Sequence, residues 1–173
     1  MKKAFPLLCI PVMLLCFFDG SVPAAEEGGR QFSERKVVDL VNRARLRGLP
    51  CGSRYMRATH PVIWNETLAE VSLKHSRDMA DREDMGHSGR DGSRPGDRMK
   101  QAGYRWMTYG ENVGEGYVTA EEAVGAWLKS PGHCMNIMNP GFKEAGASRA
   151  RGAKGTYWTL VLAAPELSSH ISP

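Results

Sequence analysis

TAEEAVGAWLKSPGHCMNIMNP, residues 119–140, is the stretch that most narrows the fold. Thr119 followed three residues later by Glu122 is a capping box. The hydroxyl accepts a first-turn N–H, and the carboxylate reaches back to the cap's own N–H. The helix so opened carries Ala123, Val124 and Trp127 on one side. It must stop before Pro131, whose ring removes a backbone donor. Beyond the stop come an imidazole and a sulfur side by side, His133 and Cys134. An amphipathic helix has to pack on another layer, so this segment predicts one helical layer ending in a chemically capable turn.

Further along, Phe142 to Ala150 and Tyr157 to Ala163 read as strands, with Gly152 and Gly155 suiting a hairpin turn between them. Upstream, the aromatics of Tyr104 to Tyr117 predict extended structure around Gly110-Glu111-Asn112. Pro95 suits the first turn of a short helix ending at Gly103, and His87 to Ser93 form a turn-rich loop before it. Asn65 is a favourable cap for a longer helix. Its inner face carries Leu68, Val71, Ser72, His75 and Met79, and it fades near Gly86. Cys51 to Val62 reads as a loop. The first helix is expected from Ser33 to Arg47, with Val37, Leu40, Val41 and Ala44 at helical spacing and Gly48-Leu49-Pro50 as its end. Four helical segments and a few antiparallel strands predict one α+β domain over 33–165, between a mobile polar leader at 26–32 and a polar tail at 166–173.

The first residues carry a different message. Lys2 and Lys3 precede an apolar run from Ala4 to Phe18, and Val22-Pro23-Ala24-Ala25 offers small residues for cleavage. That order describes a secretory signal peptide over 1–25, with cleavage expected after Ala24 or Ala25. The run is shorter than the ~20 apolar residues of a membrane span and is broken by Pro6 and Pro11, so no permanent span is expected in the mature protein. The destination is a periplasm or the cell exterior. A net charge of +4 over 173 residues, without a basic block, excludes the electrostatic footprint of nucleic-acid binding.

Two cysteines survive cleavage, Cys51 and Cys134. In an oxidising compartment an even pair favours a disulfide, and closing so long a loop stabilises a fold by at most roughly 4–5 kcal/mol. The rival is a catalytic thiol at Cys134 beside His133. Sequence neighbours seldom form a working thiol–imidazole pair, and an exported thiol is open to oxidation, so the disulfide is the expectation.

Four stretches in order carry a family likeness: the helix around His75-Ser76-Arg77-Asp78-Met79-Ala80 leading to His87-Ser88, Gly110 to Gly116, Trp127 through Ser130-Pro131-Gly132-His133 to Pro140, and Tyr157-Trp158-Thr159 with Gly146. Together they resemble the CAP superfamily (cysteine-rich secretory, antigen 5 and pathogenesis-related proteins), of the bacterial type, over roughly Val37 to Ala163. The resemblance implies a three-layer α-β-α sandwich with a small antiparallel sheet between helices and a cleft across one face. It also implies a cleft tetrad of two His and two Glu able to hold a divalent metal. His87, Glu111 and His133 correspond to three of the four. The fourth would fall near Lys129 or Ser130, neither a carboxylate.

The resemblance makes His87 and His133 the expected metal ligands, with Glu111 as a possible third. Imidazole nitrogen and carboxylate oxygen suit Zn²⁺ or another divalent cation, and an open position would activate water. The missing second carboxylate weighs against paired acid–base work. The leading expectation is a non-enzymatic exported module whose His/Glu-lined cleft binds a lipid, a cell-envelope component or a protein partner. The alternative is a metal-dependent extracytoplasmic hydrolase of peptide or peptidoglycan bonds with Glu111 as general base. His75 reads as a hydrogen-bonded core residue, Asn112 and Asn136 as braces, and His60 and His170 as bystanders. No H-E-x-x-H, G-x-S-x-G, P-loop or dinucleotide motif is present.

Overall fold

The computed structural model describes residues 24–167. Most of the expected signal peptide, most of the polar tail and His170 lie outside the described residues. In chain order the elements are α1 (Ala24–Arg47), β1 (Leu49–Cys51), β2 (Arg54–Met56), β3 (Ile63–Trp64), α2 (Glu66–Arg82), α3 (Pro95–Gln101), β4 (Trp106–Glu115), α4 (Ala120–Lys129), α5 (Pro131–Met138), β5 (Glu144–Arg151) and β6 (Thr156–Pro165).

The main sheet runs β3-β5-β6-β4. Its body is antiparallel, and the two-residue β3 adds a parallel edge to β5. Strand β6 is buried from Tyr157 to Ala164 because both of its faces are covered. Trp158, Leu160 and Leu162 join the core made with α1, α4 and α5. Val161 and Ala163 meet Leu68, Val71 and Met99 of α2 and α3, while Tyr157 meets Met79. The two-residue period of a strand thus divides one segment between two cores, which is the α-β-α sandwich. Where α2 crosses β5 the approach is so close that a Cβ on Gly146 would lie 2.1 Å from the Ala69 nitrogen. Small hydroxyls fill that seam, Ser72 donating to the Gly146 carbonyl at 2.9 Å and Ser76 to Thr159 at 2.9 Å.

Local signals set the helix ends. The Asn65 side chain accepts from the Leu68 N–H, and the Thr119–Glu122 capping box forms in both directions. Gly48 leaves α1 at φ +68°, a left-handed conformation glycine adopts without steric cost.

Three expectations need correction. The first helix starts at Ala24 rather than Ser33, so α1 takes in the 26–32 stretch. The Cys51 to Val62 loop holds the β1–β2 hairpin, paired Leu49 with Met56 and Cys51 with Arg54. The turn after Pro131 is a full helix, α5.

Cys51 and Cys134 form a disulfide, with their Cα atoms 5.4 Å apart and a sequence separation of 83. It ties β1 to α5. Arg45 completes the same corner. Fully buried, it donates from Nε to the His60 carbonyl, from Nη1 to those of Ile137 and Asn139, and from Nη2 to that of Phe142. It holds the end of α5 against α1.

Candidate functional site

Strand β4 is an edge strand, and its alternation aims successive side chains to opposite sides. Glu111 lies opposite Val161 and therefore on the α2–α3 side, whereas Asn112 lies opposite Leu160 on the α5 side. The Trp127 indole N–H, donating to the Val113 carbonyl at 2.8 Å, pins α4 to this strand.

On the Glu111 side, three side chains converge on one buried carboxylate. His87 Nδ1 lies 2.9 Å from Oε1, and Arg98 Nη2 donates to Oε2 at 2.7 Å. His75 Nε2 stands 3.8 Å from Oε1 and 2.8 Å from the Gly86 carbonyl oxygen. His75 is therefore the hydrogen-bonded core residue expected, and it also forms the wall behind Glu111. The Glu111 and His75 side chains are 2% and 0% exposed, while that of His87 is 55% exposed. The cluster thus has a sealed base and an open lip.

The loop bearing His87 is positioned from both ends. Helix α2 ends with Glu83 at φ +52°, a left-handed turn made by a non-glycine residue, with N–H groups returning to Ala80 and Met79. Arg98 Nη1 donates to the carbonyls of His87 and Ser93. One guanidinium therefore fixes both the carboxylate and the backbone of the histidine that meets it.

On the other side of β4, Asn112 Nδ2 donates to the His133 carbonyl at 3.1 Å, and Asn136 Nδ2 donates to Asn112 Oδ1 and to the Glu111 carbonyl. These are the bracing roles expected of both asparagines. His133 lies on α5, close enough to His87 for that imidazole to act on its titration. The structure thus joins His87 to Glu111 directly, while His133 makes its described contact through its backbone carbonyl, to Asn112. The member that sequence reasoning missed is Arg98. Nothing in its local sequence distinguishes it from other helix-surface arginines, and only the packing of α3 against β4 reveals it.

The imidazoles titrate apart. The hydrogen bond to Glu111 raises the His87 pKa against the opposing effect of partial burial. Burial lowers that of His133, and the neighbouring His87 adds to the shift. Burial also lowers that of His75.

These contacts decide how well the donors suit a metal. With Nδ1 bound to Glu111, His87 keeps Nε2 for a ligand, and His133 supplies a second imidazole. Glu111 is committed on both oxygens, so its expected part as a third ligand is not supported. Among the described residues no group of three or more His, Cys, Asp or Glu is arranged to hold a metal ion. Catalytic zinc takes three protein ligands and a water. Two imidazoles fall short of that set.

No helix among the described residues is long and apolar enough to cross a membrane. YkwD of Bacillus subtilis (strain 168) is 35% identical over 126 residues, covering 73% of this chain and 45% of that protein. Among solved structures, an extracellular protein containing a SCP domain from Bacillus anthracis str. Ames superposes with a TM-score of 0.69 at 23% identity, over 83% of this chain and 44% of the other. NaASP2, solved with Zn²⁺, gives 0.53 at 13% identity, over 75% and 78%. The chain thus spans under half the length of the Bacillus relatives it matches. The cysteine-rich secretory protein family matches residues 38–162, and with the sandwich, the order of its elements and the placement of Gly110-Glu111-Asn112 on the edge strand, this chain belongs to the CAP family.

Proposed function

We propose that the chain is an exported binding module. Its His87/Glu111/His133 cleft would receive a lipid, a cell-envelope component or a protein partner, without chemistry at the carboxylate. One observation carries this reading: both oxygens of Glu111 are already engaged by His87 and Arg98 of the chain itself. A general base must lie within reach of the proton it takes, and the Glu111 side chain, behind these two partners, is only 2% exposed. A carboxylate held by a buried guanidinium instead supplies a rigid, charge-compensated floor. The position where a second carboxylate would stand, at the end of α4, offers Lys129 and Ser130. Export is supported by the disulfide and by the extracellular description of the Bacillus anthracis relative.

A second reading keeps the hydrolase, with His87 and His133 as metal ligands. It is favoured by the His87 ring orientation, because a carboxylate behind one imidazole nitrogen is a common way to orient the other toward a metal. It requires Glu111 to leave Arg98. One set of measurements separates the two. The purified chain is assayed for vesicle and cell-wall binding, for Zn²⁺ binding by calorimetry, and for hydrolysis of casein and peptidoglycan with and without chelator. The module predicts binding that Glu111→Gln weakens, with no chelator-sensitive hydrolysis. A chelator-sensitive activity abolished by Glu111→Gln in a folded protein would establish the hydrolase instead.

A further inference from the structure

Between Asp39 and Glu66 the chain has five arginines and no acidic residue, and between Glu122 and Glu144 it has two lysines and no acidic residue. The two stretches meet at one end of the molecule. Helices α1 and α4 lie side by side and run the same way: Lys36 reaches Glu121 at 3.6 Å, and further along Arg47 and Leu49 share a groove with Leu128. The β1–β2 hairpin closes that end. A Cβ on Gly48 would lie 2.9 Å from the Met56 carbonyl oxygen, and one on Gly52 would lie 3.1 Å from the Pro131 ring at the start of α5. The Cys51–Cys134 disulfide fixes the same junction.

Arg45 is spent inside, on backbone carbonyls. Arg43, Arg47, Arg54, Arg57 and Lys129 are exposed, and among the described residues none is in an ion pair. Elsewhere the arginines find acids, Arg35 at Glu66, Arg82 at Asp78 and Arg105 at Glu166. Arg47 and Lys129 sit in the last turns of their helices, where a cation suits the dipole. Arg54 and Arg57, on the hairpin, have no such local reason. Leu46 beside Arg47 and Tyr55 beside Arg54 are 60% and 65% exposed.

Unpaired cations attract phosphate on a soluble polymer or on a lipid alike. Exposed leucine and tyrosine gain only where an apolar layer lies behind the phosphates, and a tyrosine ring suits headgroup depth. We propose that this end of the molecule is a peripheral docking surface for a bilayer rich in anionic phospholipid. The arginines meet the phosphates, and Leu46 and Tyr55 enter the headgroup layer. Each arginine close to such a surface strengthens binding about fivefold. The surface goes beyond the cleft reading and does not rest on it, since His87, Glu111 and Arg98 belong to neither stretch.

The test is sedimentation of the chain, as recovered after export, with vesicles of phosphatidylcholine, pure or mixed with an equal part of phosphatidylglycerol. The mixed vesicles should bind it, less so as salt is raised, and the pure ones should not. Arg54→Gln with Arg57→Gln should weaken binding by at least about tenfold and leave the thermal midpoint unchanged. Arg105→Gln, another exposed arginine, should change nothing. Leu46→Ser with Tyr55→Ser should weaken binding to vesicles but not to sodium polyphosphate. Three outcomes overturn the proposal. Pure and mixed vesicles could bind equally. The hairpin arginine variant could bind as the parent does, with Glu111→Gln alone weakening it, which would assign the binding to the cleft. The Leu46 and Tyr55 variant could bind vesicles undiminished, which would make the surface one for soluble polyanions.

Discussion

Two arginines packed into the protein do opposite kinds of work. Arg45 meets four backbone carbonyls and, among the described residues, no carboxylate. Burial lowers its pKa to about 10, so it stays protonated at neutral pH. Its charge is spread over the end of α5 and the loops beside it, and it behaves as a staple. Arg98 is also largely covered, but it spends Nη2 on Glu111, Nη1 on the loop carrying His87, and leaves Nε unused. A cation satisfied wholly by carbonyls has no side-chain partner to trade. A cation sharing a carboxylate with an exposed histidine sits in a network that a ligand can rearrange.

The comparison is most exposed at Arg45. Arg45→Met should destabilise the fold by about 3–5 kcal/mol in urea unfolding, because several buried carbonyls lose their donor at once. If the loss were below about 1 kcal/mol, the staple would not exist. The disulfide at the same corner comes next. Replacing Cys51 and Cys134 together by Ser should cost about 2–4 kcal/mol, measured the same way under oxidising conditions, and reducing agent should then have no further effect.

Arg98→Met is predicted to cost less than Arg45→Met, about 1–3 kcal/mol, by leaving Glu111 short of a partner. A double-mutant cycle with Glu111→Gln should return a coupling of about 1 kcal/mol or more. Equal losses for Arg45→Met and Arg98→Met, with no coupling, would make both arginines staples and remove the contrast.

The smallest effect is in pH dependence. NMR titration should place His87 above the ordinary histidine value of 6.5 and His133 below it. For His87 the folded pKa is the higher one, so its contribution is fully present below about pH 6.5 and is lost as pH rises through the folded value. For His75 and His133 the folded pKa is the lower one, so their contribution is present above about pH 6.5 and lost as pH falls through the folded values. His87→Ala should remove the first of these slopes from the stability profile and shrink the His133 part of the second.

Much of this architecture was legible beforehand where it rests on near neighbours. The Asn65 cap and the Thr119–Glu122 box act within one turn of backbone, and each formed as the local chemistry dictates. The Gly152–Gly155 turn likewise closes on itself, the Gly152 N–H reaching the Gly155 carbonyl at 2.7 Å. The β1–β2 hairpin and β3 were not legible, because strands of two or three residues are too short to show a period. The helical start at Ala24 was hidden by Gly28 and Gly29, which read as breakers when taken singly.

Residue order alone therefore settled the helices with caps, the two long closing strands and the expectation of a disulfide, while the family resemblance named His87, Glu111 and His133 as candidates. Only the tertiary structure decided what those candidates do together. A residue's side of a strand follows from register with its partner strand, and that register sent Glu111 to α3 and Asn112 to α5. Arg98 entered the site because α3 packs on β4, bringing its guanidinium within 2.7 Å of Glu111. Such a contact depends on the free energy of the whole packed core, and no short window of sequence contains it.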